Sequence, residues 1–216
     1  MAIAAQGING AFSGKVGSVV GYQLNGQQVM RSVGRRTRPF TELELLNQAK
    51  MKVVSEFLAP IKPFVKFGYQ REAPPGSRVG PFQLAQSYVR KNAVDLDDER
   101  KPFVNPAKVL ISMGKLEPPL NCTLEHEGKR LTLRWDHSGQ ASGVDRLMLL
   151  LYDGDMFRYF REIGAERREE METLEIDLLR FMEKPVHVYA AFRGTMVDEI
   201  SDSVYCGVIE PMEATV

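Results

Sequence analysis

The sequence predicts a mainly β protein with helices, of the α+β class, organised in two parts. Three observations carry that expectation: a glycine-rich, β-favouring start, two helical periodicities between residues 41 and 92, and a period of two from Pro119 onward. The bulk figures agree with it. A chain of 216 residues, 44% hydrophobic and 26% charged, has the make-up of a globular protein and room for one or two domains. Collagen-like, disordered and disulfide-scaffold classes are excluded.

At the start, glycines stand at positions 7, 10, 14, 17, 21 and 26. Residues 15–24 and 27–33 read as strands on either side of Asn25-Gly26, a pair whose tolerance of positive φ favours a type I′ hairpin. Thr41-Glu42-Leu43-Glu44 then forms a capping box, with Phe40 and Leu45 spaced as a hydrophobic staple. Leu46, Ala49, Val53 and Phe57, joined by Leu45 and Val54, make one apolar helical face, and Pro60 ends the helix. Residues 81–92 read as a second helix, with Pro81 at its first position and Phe82, Ala85, Tyr88 and Val89 inward. Between the helices, residues 73–77 are a Pro-rich loop. Residues 95–101 read as a solvated charge run, and Val109, Ile111 and Met113 as a strand ending at Gly114.

From Pro119 the pattern alternates. Leu120, Cys122 and Leu124 make a first strand; Leu131, Leu133 and Trp135 make a second. Residues 146–153 form a nearly continuous apolar run, suited to a central strand. Residues 157–163, 173–178, 186–192 and 203–209 supply four more. Seven short strands separated by turn signals predict a two-sheet β-sandwich of the fibronectin III/Ig-like kind, with Trp135 and Tyr189 as its core markers. The Glu, Arg, Met and Leu content of residues 166–183 makes a helix the competing reading there.

Charge divides the chain at the same place. The 28 basic and 28 acidic residues cancel. Yet residues 1–117 hold 17 Lys+Arg against 9 Asp+Glu, and residues 118–216 hold 11 against 19. We therefore expect a basic Gly-rich hairpin and helical region over 1–117 and an acidic sandwich over 118–216, joined at Pro118-Pro119. Within the first 40 residues the only charges are Lys15, Arg31, Arg35, Arg36 and Arg38. These five are the candidate anion-binding residues, able to meet the phosphates of a nucleic acid. Aromatic residues suited to base stacking are sparse there, with Phe12, Tyr22 and Phe40 alone. The competing reading pairs these arginines with acids of the C-terminal half or of a neighbouring subunit.

Catalytic and metal-binding patterns are absent from the sequence. Gly10 to Val16 is one residue short of a P-loop and has Val16 where a magnesium-binding hydroxyl belongs. His126, His137 and His187 share no metal-ligand spacing. Asp136-His137-Ser138 has the residue types of a hydrolase triad, but adjacent residues do not converge as a proton relay requires. Asp153/Asp155 and Asp97/Asp98 lack the spacing of a calcium loop. Cys122 and Cys206 read as buried free thiols. No catalytic residue, cofactor or metal is expected, and the chain reads as non-enzymatic.

The segment GAFSGKVGSVVGYQLNG and the closing SDSVYCG together resemble a family of uncharacterised proteins of Bacteroidota. The matching positions are Gly10, Phe12, Gly14, Lys15, Gly17, Gly21 and Gly26, then Ser201, Ser203, Tyr205 and Gly207. The resemblance implies a Gly-rich N-terminal region before a sandwich-like domain, and no activity. The functional expectation is a structural or adaptor-like interaction protein with a protein partner or self-association. A nucleic-acid-associated protein using residues 15–38 is the alternative. With neither a cationic, apolar leader nor an 18-residue apolar run, a cytoplasmic protein without a membrane segment is expected.

Overall fold

The computed structural model describes residues 3–8, 12–24, 26–73, 79–177 and 183–211, with the backbone alone for 3–8. It is mostly β, with several antiparallel sheets and three α-helices among the described residues. The N-terminal strands β1 (Ile3–Ile8), β2 (Phe12–Val16), β3 (Val19–Leu24) and β4 (Gln27–Ser32) form one meander in chain order. The expected pairing across positions 25 and 26 is present, with Leu24 opposite Gln27; Asn25 itself lies outside the described residues. The single strand expected over 15–24 is broken instead. Gly17, at φ +58°, turns the chain at Gly17-Ser18 and starts a second hairpin, so the region is a four-stranded sheet.

Helix α1 (Glu42–Leu58) opens with the expected capping box, both halves of which are formed. The staple is not closed: Phe40 and Leu45 are each about half exposed, and the Arg36 guanidinium lies 3.8 Å over the Phe40 ring. Only the C-terminal half of α1 is sunk in the core, through Val54 and Leu58. A short helix α2 (Lys62–Gly68) follows, and α3 (Pro81–Asn92) matches the expected bounds and buries Ala85 and Val89. Residues 95–101, expected as a plain charge run, close a small hairpin between β5 (Val94–Leu96) and β6 (Pro102–Val104). The Asp97 carboxylate accepts the N–H groups of Glu99 and Lys101 at 3.0 and 2.7 Å and so fixes the turn.

All seven C-terminal strands are present: β7 (Leu120–Glu127), β8 (Arg130–Asp136), β9 (Arg146–Tyr152), β10 (Phe157–Arg161), β11 (Met171–Glu175), β12 (Val186–Arg193) and β13 (Val204–Ile209). They form two antiparallel sheets, ordered β10-β9-β12-β13 and β11-β8-β7. Where a helix competed, the described part of 166–183 holds the 3-10 turn Arg167–Glu169 and then β11, with no α-helix among the described residues. Trp135, Leu149, Val188 and Phe192 belong to one apolar cluster shared by the two sheets.

The face of β9 and β12 that points away from that cluster is equally apolar. Leu150, Tyr152 and Tyr189 join Val54, Leu58, Ile61, Val65, Ala85 and Val89 in a second cluster, so the helices cover the larger sheet from outside. Tyr189 is thus not a marker of the inter-sheet core. Strand alternation sends it toward the helical layer, where its hydroxyl donates to the Pro106 carbonyl at 2.9 Å. The Tyr152 hydroxyl likewise donates to the Phe57 carbonyl at 2.6 Å. Burial pushes both phenols above their ordinary pKa, so they remain donors.

The strand expected over 109–113 does not form. That segment runs between the layers and bonds to side chains instead of a ladder. Ser203 Oγ accepts the N–H groups of Ile111 and Ser112 at 2.7 and 3.3 Å, and Ser112 Oγ donates to the Ser201 carbonyl at 2.9 Å. Gly114 N–H donates to Asp202 Oδ1 at 3.0 Å, and a Cβ on Gly114 would collide with the Ile200 carbonyl. Removing one buried acceptor that serves two donors costs about 1–3 kcal/mol. Ser203→Ala is therefore expected to lower unfolding stability by that amount, read as an earlier urea midpoint, whereas Met196→Ala, at 84% exposure, leaves the midpoint in place.

Candidate interaction surface

The N-terminal sheet gives its residues two faces by alternation. The registers Gly14↔Gly21↔Met30 and Lys15↔Val20↔Arg31 assign them. One face carries Phe12, Val16, Val19 and Met30 around Gly14 and Gly21. Gly21 is required there, because a Cβ at that position would collide with the Phe12 carbonyl and ring. The opposite face carries Val20, Tyr22, Leu24 and Val29, flanked by Lys15 and Arg31. Arg31 leans over the Tyr22 ring at 5.8 Å.

No second layer covers either face among the described residues. Among the described side chains of β2, β3 and β4, Gly21 alone is buried. Val16 and Met30 are 55% and 69% exposed, and Leu43 on the first turn of α1 is 74% exposed. Val33, Phe40 and Leu45 are also open to solvent. Strand β4 is the last in its sheet and contains no proline or acid, and no further described strand pairs with it. Natural sheet edges are normally blunted by such residues.

The five candidate anion-binding residues do not form one cluster. Lys15 and Arg31 share a sheet face across Val20. Arg36 and Arg38 are drawn instead to Glu44 of α1, at 2.6 and 3.7 Å. Arg36 also donates to the carbonyls of Arg38 and Pro39 at 2.8 and 3.3 Å, which folds the segment around its own side chain. Arg35 is exposed beside them. Glu44 was legible as a helix cap but not as the acid that holds the basic segment; its pairing with residues eight and six positions earlier has no sequence signature. The exposed Met30 and Leu43 were missed for a related reason, since a periodic apolar residue is ordinarily assigned to a core.

Other sequence candidates take structural places. Asp136 accepts from Asn121 Nδ2 at 2.6 Å while Ser138 donates to Glu117 at 2.7 Å, so Asp136, His137 and Ser138 do not converge. Burial alone would raise the Asp153 carboxyl, but the N–H groups of Met156 and Asp155 and the Arg158 guanidinium outweigh it and hold the pKa below the ordinary value. An open cleft of about 460 Å³ is bordered by Lys115, Glu117, Ser142, Asp145 and Val197. Its buried acid, Asp145, is already bound by the buried Arg167 at 3.1 Å. Groups of acids, histidines and cysteines fit to hold a metal are absent among the described residues. No described helix is long and apolar enough to cross a membrane.

Compared with known proteins, the chain matches the family of unknown function DUF6266 over residues 11–207. It belongs to that family. No curated protein and no solved structure matches it.

The Glu44 clamp makes a pH prediction. The Thr41 N–H and then the Arg36 guanidinium hold the Glu44 carboxyl below its ordinary pKa of 4.5. A depressed carboxylate stabilises its contacts above the unfolded-state pKa and loses them as pH falls through the folded one. The Arg36 Nε–H resonance is therefore expected to stay constant from pH 7 to 4.5 and shift only below that, and in Glu44→Gln to lose this acid transition.

Proposed function

We propose that this is a non-enzymatic structural or adaptor-like protein that self-associates through its N-terminal sheet. The observation that carries the reading is the uncovered sheet itself: β2, β3 and β4 carry apolar side chains on both faces, with no second layer among the described residues. A sheet of this size gains its stability by burying a face. The occupant we propose is a second copy of the chain. Strand β4, the last in the strand order, can extend the sheet by main-chain pairing, the mode by which strands add to sheet edges. Charge supports the same partner, because a segment with five bases and no acid meets a chain whose residues 118–216 carry an acidic excess.

The remainder is read as a fibronectin type III-like sandwich capped by helices. Support comes from seven strands divided into β11-β8-β7 and β10-β9-β12-β13, with the second, first and fifth strands in one sheet and the third, fourth, sixth and seventh in the other. Capping by helices leaves the loops and the N-terminal sheet as the surfaces open to a partner. The resemblance to the Bacteroidota proteins adds the same layout and no activity.

A nucleic-acid-associated role is the alternative, favoured by the shared face of Lys15 and Arg31 and by the exposed Arg35. Light scattering coupled to size exclusion separates the two. Self-association gives a mass that rises above 24.3 kDa with protein concentration, and Met30→Asp with Val16→Asp returns it to the monomer without loss of helical signal. A concentration-independent monomer overturns it. Salt-sensitive retention on heparin that Lys15→Ala, Arg31→Ala and Arg35→Ala abolish would establish the alternative in its place.

A further inference from the structure

Cys122 and Cys206 belong to strands of different sheets, yet they meet. Strand β7 is the edge of its sheet and β13 the edge of the other, and the two edges lie against each other. A Cβ direction at Gly207 on β13 points within 3.5 Å of the Leu124 Cδ2 on β7, so the strands are in van der Waals contact beside the cysteines. Both cysteines pack on the same inter-sheet cluster.

Each also sits at a break in its ladder. The β7–β8 register shifts between Leu120 and Thr123, and Asn121 has φ +47°. In β13, Gly207 pairs with Val188 and Tyr205 with Tyr189, leaving Cys206 as the extra residue of a bulge. Bulges re-aim side chains, and here both turn a thiol toward the seam between the sheets. Both thiols are free and half-buried. The Cys206 thiol donates to the Val204 carbonyl at 3.6 Å.

We propose that Cys122 and Cys206 are a reactive pair that closes to an intramolecular disulfide, bolting the first strand of the C-terminal half to the last, with a low-molecular-weight disulfide such as glutathione disulfide as oxidant. The neighbouring Cys206 thiol draws the Cys122 thiol below its ordinary pKa, while Cys122 and burial push Cys206 up, which makes Cys122 the attacking sulfur. Its thiolate forms a bond to one glutathione sulfur, the glutathione disulfide bond breaks, and a glutathione thiolate leaves. Cys206 then gives its proton to solvent and attacks the Cys122 sulfur, expelling the second glutathione. Two protein thiols lose two electrons, and one glutathione disulfide becomes two glutathiones.

The full chain, incubated with glutathione disulfide, tests this by denaturing thiol titration, intact mass and non-reducing peptide mapping. The expected result is a fall from two titratable thiols to none, a mass lower by two hydrogens, and a peptide joining the segments that contain Cys122 and Cys206. Closing the loop from 122 to 206 constrains the unfolded chain, so the melting temperature rises by about 5–15 °C. Cys122→Ser and Cys206→Ser, which retain the side-chain size, lose that gain, and Cys206→Ser accumulates one glutathione on Cys122. Wild-type protein that stops at bound glutathione, forms only disulfide-linked dimers, or keeps both thiols overturns the proposal.

Discussion

Two strands buried on both faces set the terms for the rest of the molecule. In β9, Leu147, Leu149 and Leu151 enter the inter-sheet cluster while Leu150 and Tyr152 enter the cluster under the helices. In β12, Val186, Val188, Ala190 and Phe192 point one way and Tyr189 the other. An antiparallel sheet commonly keeps one face wet; this one requires two covers, and the helices are the second. Magnitudes decide what joins the basic and acidic halves. Burying one large apolar side chain is worth about 1.5–3 kcal/mol, and an exposed ion pair about 0–1 kcal/mol. Only Arg71–Asp198 and Glu117–Arg167 cross the boundary among the described ion pairs. Apolar docking joins the halves, and their opposed charges describe their surfaces.

That docking creates a second requirement. Residues 109–116 pass between the layers without regular structure, and buried backbone groups must find partners. The Ser201-Asp202-Ser203 run supplies them from the opposite side. Ser203 accepts two N–H groups, Asp202 accepts one from Gly114, and Ser201 Oγ accepts the Phe192 N–H at 2.8 Å. Hydroxyls suit this place because each can accept and donate within a small volume. The closing Ser-x-Ser-x-Tyr-x-Gly pattern is thus a structural latch, with Gly207 completing the bulge that follows it.

The sequence announced those elements whose cause is local. The Thr41–Glu44 box, the Pro81 start of α3 and the apolar patterns of the seven C-terminal strands depend on residues within a few positions of one another. The run 146–153 reads as a central strand, but an apolar run cannot say which layer lies on which side, and so the sequence puts Tyr189 in the wrong core. Residues 109–113 alternate like a strand, yet the ladder was replaced by hydroxyls about 90 positions away. Gly17 was visible but outranked by Asn25-Gly26 as a turn. Of the candidate interaction surface, the charges were legible and their arrangement was not. Arg36 and Arg38 looked equivalent to Lys15 and Arg31 until Glu44 separated them.

The N-terminal sheet stands in contrast to the body it precedes. Ordering each backbone residue costs about 1–2 kcal/mol, and the sheet offsets little of that with a buried core of its own. Its order must come from contacts, and the chemistry of its faces bears on whose. Tight electrostatic binding to a duplex draws on about 6–10 phosphate contacts. Here two cations share a face, and Arg36 and Arg38 are engaged by Glu44. The other face, with Phe12, Val16, Val19 and Met30, carries no charge at all. Side chains of that kind offer nothing to a phosphate and several large apolar contacts to a protein. The balance of the two faces therefore suits the proposed protein partner better than a nucleic acid, and the last place of β4 in the strand order suits one that brings a strand.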